Sequence, residues 1–474
     1  MTTVLTPDIC VIGAGSGGLT VAAIASAFGA PVVLIEKGPM GGDCLNYGCV
    51  PSKAMIAAAR HMHELGRGAA FGIRSGKASV DFAKVNRHIR EVIEAIAPND
   101  SAERFTALGI KVIKAEARFE DRRTVVAGDV EVRARRFVVA TGSSPLIPPI
   151  PGLDRVPYLT NETLFDLTER PEHLIVIGAG AMGIEMAQAY RRLGSAVTII
   201  EVAEPLGDED PELVGIVLEA MRAEGVVLRA GTSVVAVEPG EGGGIRVIVE
   251  GAAGRETIEG SHLLLATGRK ANVDGLDLGK AGIAVNESGI KVSHRLRTTN
   301  RRVYAVGDVT GARFTHVAGH QAKLVAKQVL FRSLGRVAMG AVPRVTFCDP
   351  ELAVVGMTEA EARKAHGAVT VLRWPYAEND RAQAERRTRG HIKLMIGRKG
   401  KLLGVGIVGA NAAEMIGFWT LALSKGMSLR DVAAHIPPYP TMSEIGKRAA
   451  ITYFLAATRN PMVRRLVRFL RVFG

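Results

Sequence analysis

Two of the chain's four cysteines lie five residues apart in Gly41-Gly42-Asp43-Cys44-Leu45-Asn46-Tyr47-Gly48-Cys49-Val50-Pro51-Ser52-Lys53. Such a pair can store two electrons as two thiols and release them as one S–S bond. On an ideal helix the two Cα atoms would stand about 8.6 Å apart and point different ways. A disulfide wants roughly 4.4–6.8 Å, so a bridge requires an irregular turn, and Gly48 offers backbone freedom for one. Pro51 suits the first turn of a helix, predicted over Ser52 to His63. Cys49 would then lie near that helix's positive end with Lys53 one turn on, and both features favour thiolate over thiol. Two ordinary reduced cysteines in a Gly-rich loop are the alternative, and this stretch alone does not decide between them. Cys10, in an apolar run, and Cys348, in Thr-Phe-Cys-Asp, read as small core residues.

The elements that would position the pair are legible around it. Ile9-Cys10-Val11-Ile12 reads as a strand and leads into Gly13-Ala14-Gly15-Ser16-Gly17-Gly18, an alanine-rich helix, and Val32-Val33-Leu34-Ile35 ending on Glu36. This is the pattern of a dinucleotide site. Gly13 makes the tight turn, Gly15 lets a pyrophosphate approach the backbone, and Gly18 lets helix and strand pack closely. The helix N-terminus faces the phosphates, and Glu36 falls at the right distance for ribose hydroxyls. The unit recurs: Leu174 to Ile177 runs into Gly178-Ala179-Gly180-Ala181-Met182-Gly183, a helix through Leu193, and Val197 to Ile200 ending on Glu201. Two fingerprints imply two dinucleotides. The acidic Glu201 would repel a 2′-phosphate, so NADH is expected over NADPH. Phe137 to Val139 before Ala140-Thr141-Gly142, and Leu263 to Leu265 before Ala266-Thr267-Gly268-Arg269, read as the closing strands of the two units. Val303 to Asp308 reads as another strand, with Asp308 placed to meet a cofactor hydroxyl.

In bulk, 474 residues with 47% hydrophobic and 23% charged residues suit about three domains of a globular protein. The expected division is 1–147 and 271–341 for the first nucleotide domain, 148–270 for the second, and 342–474 for an α+β domain. Four cysteines in so long a chain argue against a secreted disulfide scaffold and for a cytoplasmic, reducing compartment. No basic region precedes the first apolar run, so no signal peptide is expected. Ile9 to Ile35 carries no charge, but Gly13, Gly15, Gly17, Gly18 and Pro31 break any membrane-span reading. The net charge is +13, yet the basic residues are scattered and aromatics are only 5%, which argues against a nucleic-acid partner. The arginine-rich run Asn379 to Arg389 reads as a solvated surface hairpin. From Pro461 a helix is predicted with Val463, Leu466, Leu470 and Phe473 on one side and Arg464, Arg468 and Arg471 on another. Packing on its own domain is the expected arrangement, with an anionic lipid surface the alternative.

Two dinucleotide folds, a Cys-x4-Cys between the first fold and a helix, and a C-terminal α+β domain resemble the class I pyridine nucleotide-disulfide oxidoreductases. This is the family of dihydrolipoamide dehydrogenase, glutathione reductase and mercuric reductase. The resemblance spans nearly the whole chain. It implies FAD in the first fold, touched by Gly13, Gly15, Gly18, Glu36, Lys53 and Asp308. Ala117, Gly142, Thr315 and His316 join the expected cofactor contacts, as do Gly178, Gly180, Gly183, Glu201 and Gly268. It implies a Cys44–Cys49 redox disulfide, Cys49 against the flavin and Cys44 outermost, with Glu185 pairing with Lys53. It also implies a homodimer in which each C-terminal domain completes the partner's site, and no resident metal.

The family's disulfide reductases carry a His-Pro-Thr run followed by a glutamate. Here the run is Pro438-Tyr439-Pro440-Thr441-Met442-Ser443-Glu444. Tyr439 stands in the histidine's place, and a phenol titrating near pH 10 is a poor proton shuttle at neutrality. His435, four residues upstream, would either substitute or cap the preceding helix. A tyrosine here resembles mercuric reductase, but that enzyme's vicinal C-terminal cysteines are not matched by the terminal Arg-Phe-Leu-Arg-Val-Phe-Gly. The expectation is an FAD- and NADH-dependent oxidoreductase acting on a small-molecule or thiol/disulfide acceptor. Dihydrolipoamide dehydrogenase, a metal-ion reductase and a membrane-docked flavoprotein are the alternatives.

Overall fold

The computed structural model describes residues 3–74, 76, 78–337, 340–458 and 460–473. Two compact units form. The first gathers residues up to Gly178 with Arg192–Ala196 and Ser233–Val337, and the second gathers Ala179–Arg191, Val197–Thr232 and the chain from residue 340.

In the first unit, uncharged β-branched runs build a parallel sheet. Its order is Val303–Ala305, Arg136–Val139, Ile9–Ile12, Val32–Glu36, Lys111–Lys114. Because successive strand residues point to opposite faces, Ile9 and Val11 enter one core cluster with Leu34 and Val138. Cys10 and Ile12 enter the other with Val33 and Phe137. A sheet covered on both faces needs such continuous apolar strands. The helices Ser16–Ala27 and Thr315–Phe331 pack on each other over one face. His173–Ile177, the first strand of the second fingerprint, pairs in parallel with His262–Leu265, as the sequence pattern predicts.

Two boundaries differ from expectation. The strand from Val303 ends at Ala305, and Asp308 sits in a 3₁₀ turn over Gly307–Thr310. Gly307 takes φ +76, which ends the extended run. The cysteine helix runs Cys49–Arg67 rather than Ser52–His63. Pro51 did not mark its start because the first turn's N–H groups have no intrahelical partner, so proline fits anywhere in it.

In the second unit, Ala196–Ile200 pairs in parallel with Val227–Arg229. The C-terminal region forms a five-stranded antiparallel sheet: Pro343–Thr346, Glu351–Gly356, Leu402–Gly409, His391–Ile396, Thr370–Pro375. Ile416, Trp419, Ile445 and Ala449 from two helices fill a core with its inner residues. Lys393, 3% exposed, meets Asp210 at 2.8 Å, Glu212 at 2.7 Å and Glu359 at 2.8 Å. The three carboxylates hold its ammonium charged despite burial.

The run from Asn379 is a short helix, Asp380–Ala384, not a hairpin. Asn379 caps it by accepting from the Ala382 N–H at 2.9 Å. Arg387 is mostly buried and pairs with Asp349 at 3.0 Å, so the run is not wholly solvated. The C-terminal helix, Pro461–Leu470, forms as predicted, with a 3₁₀ turn over Arg471–Phe473. Its expected packing is overturned: every residue from 461 to 473 is exposed. Gly474, the end of the predicted segment, lies outside the described residues.

Candidate functional site

The cysteine stretch begins where it touches the nucleotide turn. Gly41 donates its N–H to the Ala14 carbonyl at 3.0 Å, and a Cβ on Gly42 would come within 2.8 Å of the Gly15 Cα. Side chains at that crossing would push the two loops apart. Cys44 lies in a short helix, Gly42–Asn46, and Cys49 opens the long one. Gly48 between them is required for room: an added Cβ would meet the Asp43 carboxylate at 2.9 Å.

Cys44 and Cys49 stand as free thiols. The two thiols hydrogen-bond to each other, and this bond splits their acidities. Cys44 is pushed up by donating to its neighbour and by burial. Cys49 is drawn down to about 6 by that same bond, then by Thr315 and the Lys53 ammonium, against the opposing effect of burial. Thr315 Oγ1 stands 3.3 Å from Cys49 Sγ and opens the helix Thr315–Phe331. The sulfur therefore meets the first residue of a second helix as well as heading its own. The arrangement favours the proton on Cys44 and the negative charge on Cys49.

A polar network holds the Cys44 helix from outside. Asp43 Oδ1 accepts from Asn161 Nδ2 at 2.8 Å and pairs with Arg269 at 3.0 Å. Arg269 also donates to Ser143 Oγ at 2.7 Å, and Ser143 donates to Asp308 at 2.7 Å. Burial pushes the Asp308 carboxyl up, with Ser143 and Arg269 opposing. Asn161, Ser143 and the partner role of Arg269 were missed from the sequence. An arginine directly after the Gly268 turn was the available signal for one of them.

The first fingerprint has the form a dinucleotide needs. Gly13 takes φ +103, and a Cβ there would sit 2.4 Å from the Ala140 carbonyl. One on Gly18 would sit 1.9 Å from the Gly13 carbonyl, whereas one on Gly15 meets no atom within 4 Å. The strand and helix are thus tightly apposed while the Gly15 backbone stays open to a ligand. Glu36 accepts from Ala14 N–H at 2.6 Å and Gly38 N–H at 2.7 Å, holding it at the turn's mouth. These residues fit the pyrophosphate and ribose of FAD. Gly142 takes φ +69 in the loop after its strand. Ala117 points into the core beside Phe119 and Ala127. His316 stacks on Phe314 with centroids 5.4 Å apart, and Thr315 lies against Cys49.

The second fingerprint repeats the local geometry. Gly178 takes φ +104, and a Cβ would sit 2.4 Å from the Ala266 carbonyl; around Gly180 there is nothing within 4 Å. Glu201 accepts from Ala179 N–H at 2.6 Å and Ala203 N–H at 2.9 Å. Gly183 and Glu185 are buried in the helix Ala181–Arg192, and Gly268 takes φ +115. Glu185 accepts from the Phe347 N–H at 2.9 Å.

Tyr439 is 70% exposed and donates to Asp380 Oδ2 at 3.0 Å. That bond and the carboxylate's charge raise the phenol above its usual range. Glu444 opens the helix Glu444–Thr458. His435 caps the preceding helix, its ring Nδ1 bonded to the Val432 carbonyl and its face stacked on Phe418 at 4.9 Å. Cys10 and Cys348 are buried thiols whose burial raises them. Among the described residues no group of three or more His, Cys, Asp or Glu side chains could hold a metal ion.

Residues 7–322 match the family model of pyridine nucleotide-disulphide oxidoreductases, and 342–450 match that family's dimerisation domain. The chain is 35% identical over 451 residues to a mercuric reductase of Lysinibacillus sphaericus, covering 94% of this chain and 82% of that one. It is 33% identical over 452 residues to a dihydrolipoyl dehydrogenase of Geobacillus stearothermophilus, covering 94% and 95%. Among solved structures it resembles a Cu(II) complex of the HOCl-induced flavoprotein disulfide reductase RclA from Escherichia coli. The TM-score is 0.83 at 28% identity, covering 93% of this chain and 98% of that one. With two Rossmann-type dinucleotide-binding domains, a C-terminal α+β dimerisation domain and a cysteine pair at the first nucleotide turn, the chain belongs to the pyridine nucleotide-disulphide oxidoreductase family of flavoenzymes.

Proposed function

We propose that this enzyme uses NADH to reduce a soft metal ion through the Cys44–Cys49 pair. Gly13, Gly15, Gly18, Glu36 and Asp308 would hold FAD, which would supply two-electron transfer between the nicotinamide and that pair. The Lys53 ammonium favours the Cys49 thiolate. Glu201 receives the ribose of NADH and repels the 2′-phosphate of NADPH. The enzyme works as a homodimer in the cytoplasm, each Tyr439 and Glu444 turn facing the partner's sulfurs.

The observation that carries the acceptor is the pairing of Tyr439 with Asp380: a phenol is already protonated at neutrality, and the carboxylate that accepts its hydrogen raises it further. The reduced pair still holds one proton on Cys44. Attack on a substrate disulfide requires a base to take that proton, and an acid to protonate the thiolate that leaves. Tyr439 can do neither at pH 7. A thiophilic cation removes the requirement, because coordination expels the thiol proton directly. Two sulfurs suit soft ions such as Cu(I) and Hg(II). The step balances: two Cu(II) take two electrons from the thiol–thiolate pair, leaving two Cu(I), the Cys44–Cys49 disulfide and the one proton that Cys44 held. The Cu(II) complex of the similar RclA protein and the mercuric reductase relatives support this class.

The test is a turnover screen of holoenzyme and NADH against Cu(II), Hg(II), quinones and lipoamide. Metal reduction is expected to be fast and lost in Cys44→Ser. Dihydrolipoamide oxidation is expected to be slower than in histidine-bearing relatives by about 10²–10⁴-fold, and Tyr439→His to recover part of it. Robust wild-type lipoamide turnover with inert metals would overturn the reading; His435→Gln would then test the remaining imidazole.

A further inference from the structure

We infer that the C-terminal helix docks this enzyme on the surface of an anionic phospholipid bilayer. The segment folds as a capped helix: Asn460 accepts from the Met462 N–H at 2.9 Å, and Arg464 donates to the Thr458 carbonyl at 2.8 Å. At about 100° per residue, Met462, Val463, Leu466, Val467, Phe469 and Leu470 fall on one broad arc. Arg464, Arg465, Arg468 and Arg471 fill the remainder, and no acidic residue lies between Pro461 and Phe473.

The apolar arc is uncovered: Met462 is 76% exposed, Leu466 55% and Phe469 60%. Six of the chain's exposed large hydrophobics would be left in water by a helix that served only to end the fold. At about 1.5 Å per residue the ten-residue helix is near 15 Å long, about half the thickness of a bilayer core. Among the described residues no helix is long and apolar enough to cross a membrane. The geometry is that of a segment lying in the interface, with apolar side chains among acyl chains and arginines at phosphate level.

A second copy of the chain is the competing occupant. The dimerisation domain shared with the family ends at residue 450, before this helix begins. An acid-free arginine arc complements lipid phosphates, and this chain's net charge of +13 would oppose a like surface.

The test is co-sedimentation of purified holoenzyme with vesicles of phosphatidylcholine alone or mixed with phosphatidylglycerol. Binding is expected only with the anionic vesicles and should weaken with added salt. Arg465→Gln/Arg468→Gln keeps the apolar arc and should lower partitioning on the order of thirtyfold. Leu466→Glu/Leu470→Glu should abolish it, with dimer mass and dye reduction by NADH unchanged. Absence of binding, equal binding to neutral vesicles, or binding indifferent to both variants would overturn the inference. Dissociation of the dimer in the glutamate variant would also overturn it, by assigning the arc to the partner subunit.

Discussion

The two nucleotide turns are near copies in local geometry and differ in what is attached to them. Gly13 and Gly178 take φ +103 and +104, and each would drive a Cβ to 2.4 Å from a strand-end carbonyl. Glu36 and Glu201 each take an N–H at 2.6 Å from the alanine between the glycines. Beyond that they part. The first turn is crossed at Gly15 by the Gly41-Gly42 loop, which brings Cys44 and Cys49 behind it. After the second, Ala196–Ile200 leads to a helix, Pro211–Ala223, whose N-cap Asp210 and first-turn Glu212 supply carboxylates to the buried Lys393. A dinucleotide cradle is a local solution that recurs; what sets the first apart is the cysteine-bearing connection that follows it.

The largest effects should come from breaking the two turns separately. Gly13→Ala should yield protein purified without flavin, while Gly178→Ala should retain flavin absorbance and lose at least about a hundredfold in kcat/KM for NADH, roughly 2.7 kcal/mol. If both variants kept flavin and NADH turnover, neither turn would be a cofactor cradle. Next, Cys49→Ser should stop acceptor reduction while leaving NADH-dependent bleaching of the flavin in a single turnover. That outcome separates the cradle from the loop hung on it, and unchanged acceptor turnover would remove the sulfur pair from the pathway.

A smaller effect is expected at the acids. Glu201→Gln should narrow the NADH over NADPH preference by about tenfold, or about 1.4 kcal/mol, whereas Glu36→Gln should leave it unmoved and weaken flavin retention. An equal shift from both would mean that the two sites do not divide the nucleotides between them. The finest distinction is in pH. Alkylation of Cys49 in the reduced enzyme should follow a midpoint near about 6: full thiolate above it, progressively lost as pH falls through it. Cys44→Ala and Thr315→Val each remove a bond favouring the thiolate, so each should move the midpoint upward. A wild-type midpoint at the ordinary thiol value, about 8.5, would contradict the hydrogen-bonded thiol–thiolate pair.

The sequence by itself determined the two fingerprints, their strands and the cysteine spacing, because those features are local demands on residue type. A positive φ needs glycine, a doubly covered strand needs uncharged β-branched runs, and a ribose acid must end the second strand. Local rules failed where an element's end depends on distant packing. Proline at Pro51 allowed several helix starts, and Asp308 left the strand pattern because Gly307 turned the chain. Only the tertiary structure brought Thr315 to Cys49 across 266 residues, Arg269 to Asp43, and Asp380 to Tyr439 across 59. It also decided that the C-terminal arginine helix is left uncovered. Those contacts depend on how sheets close and helices cross, and no short-range pattern encodes them, since the same side chains at the same spacing would serve equally well on an ordinary solvated face.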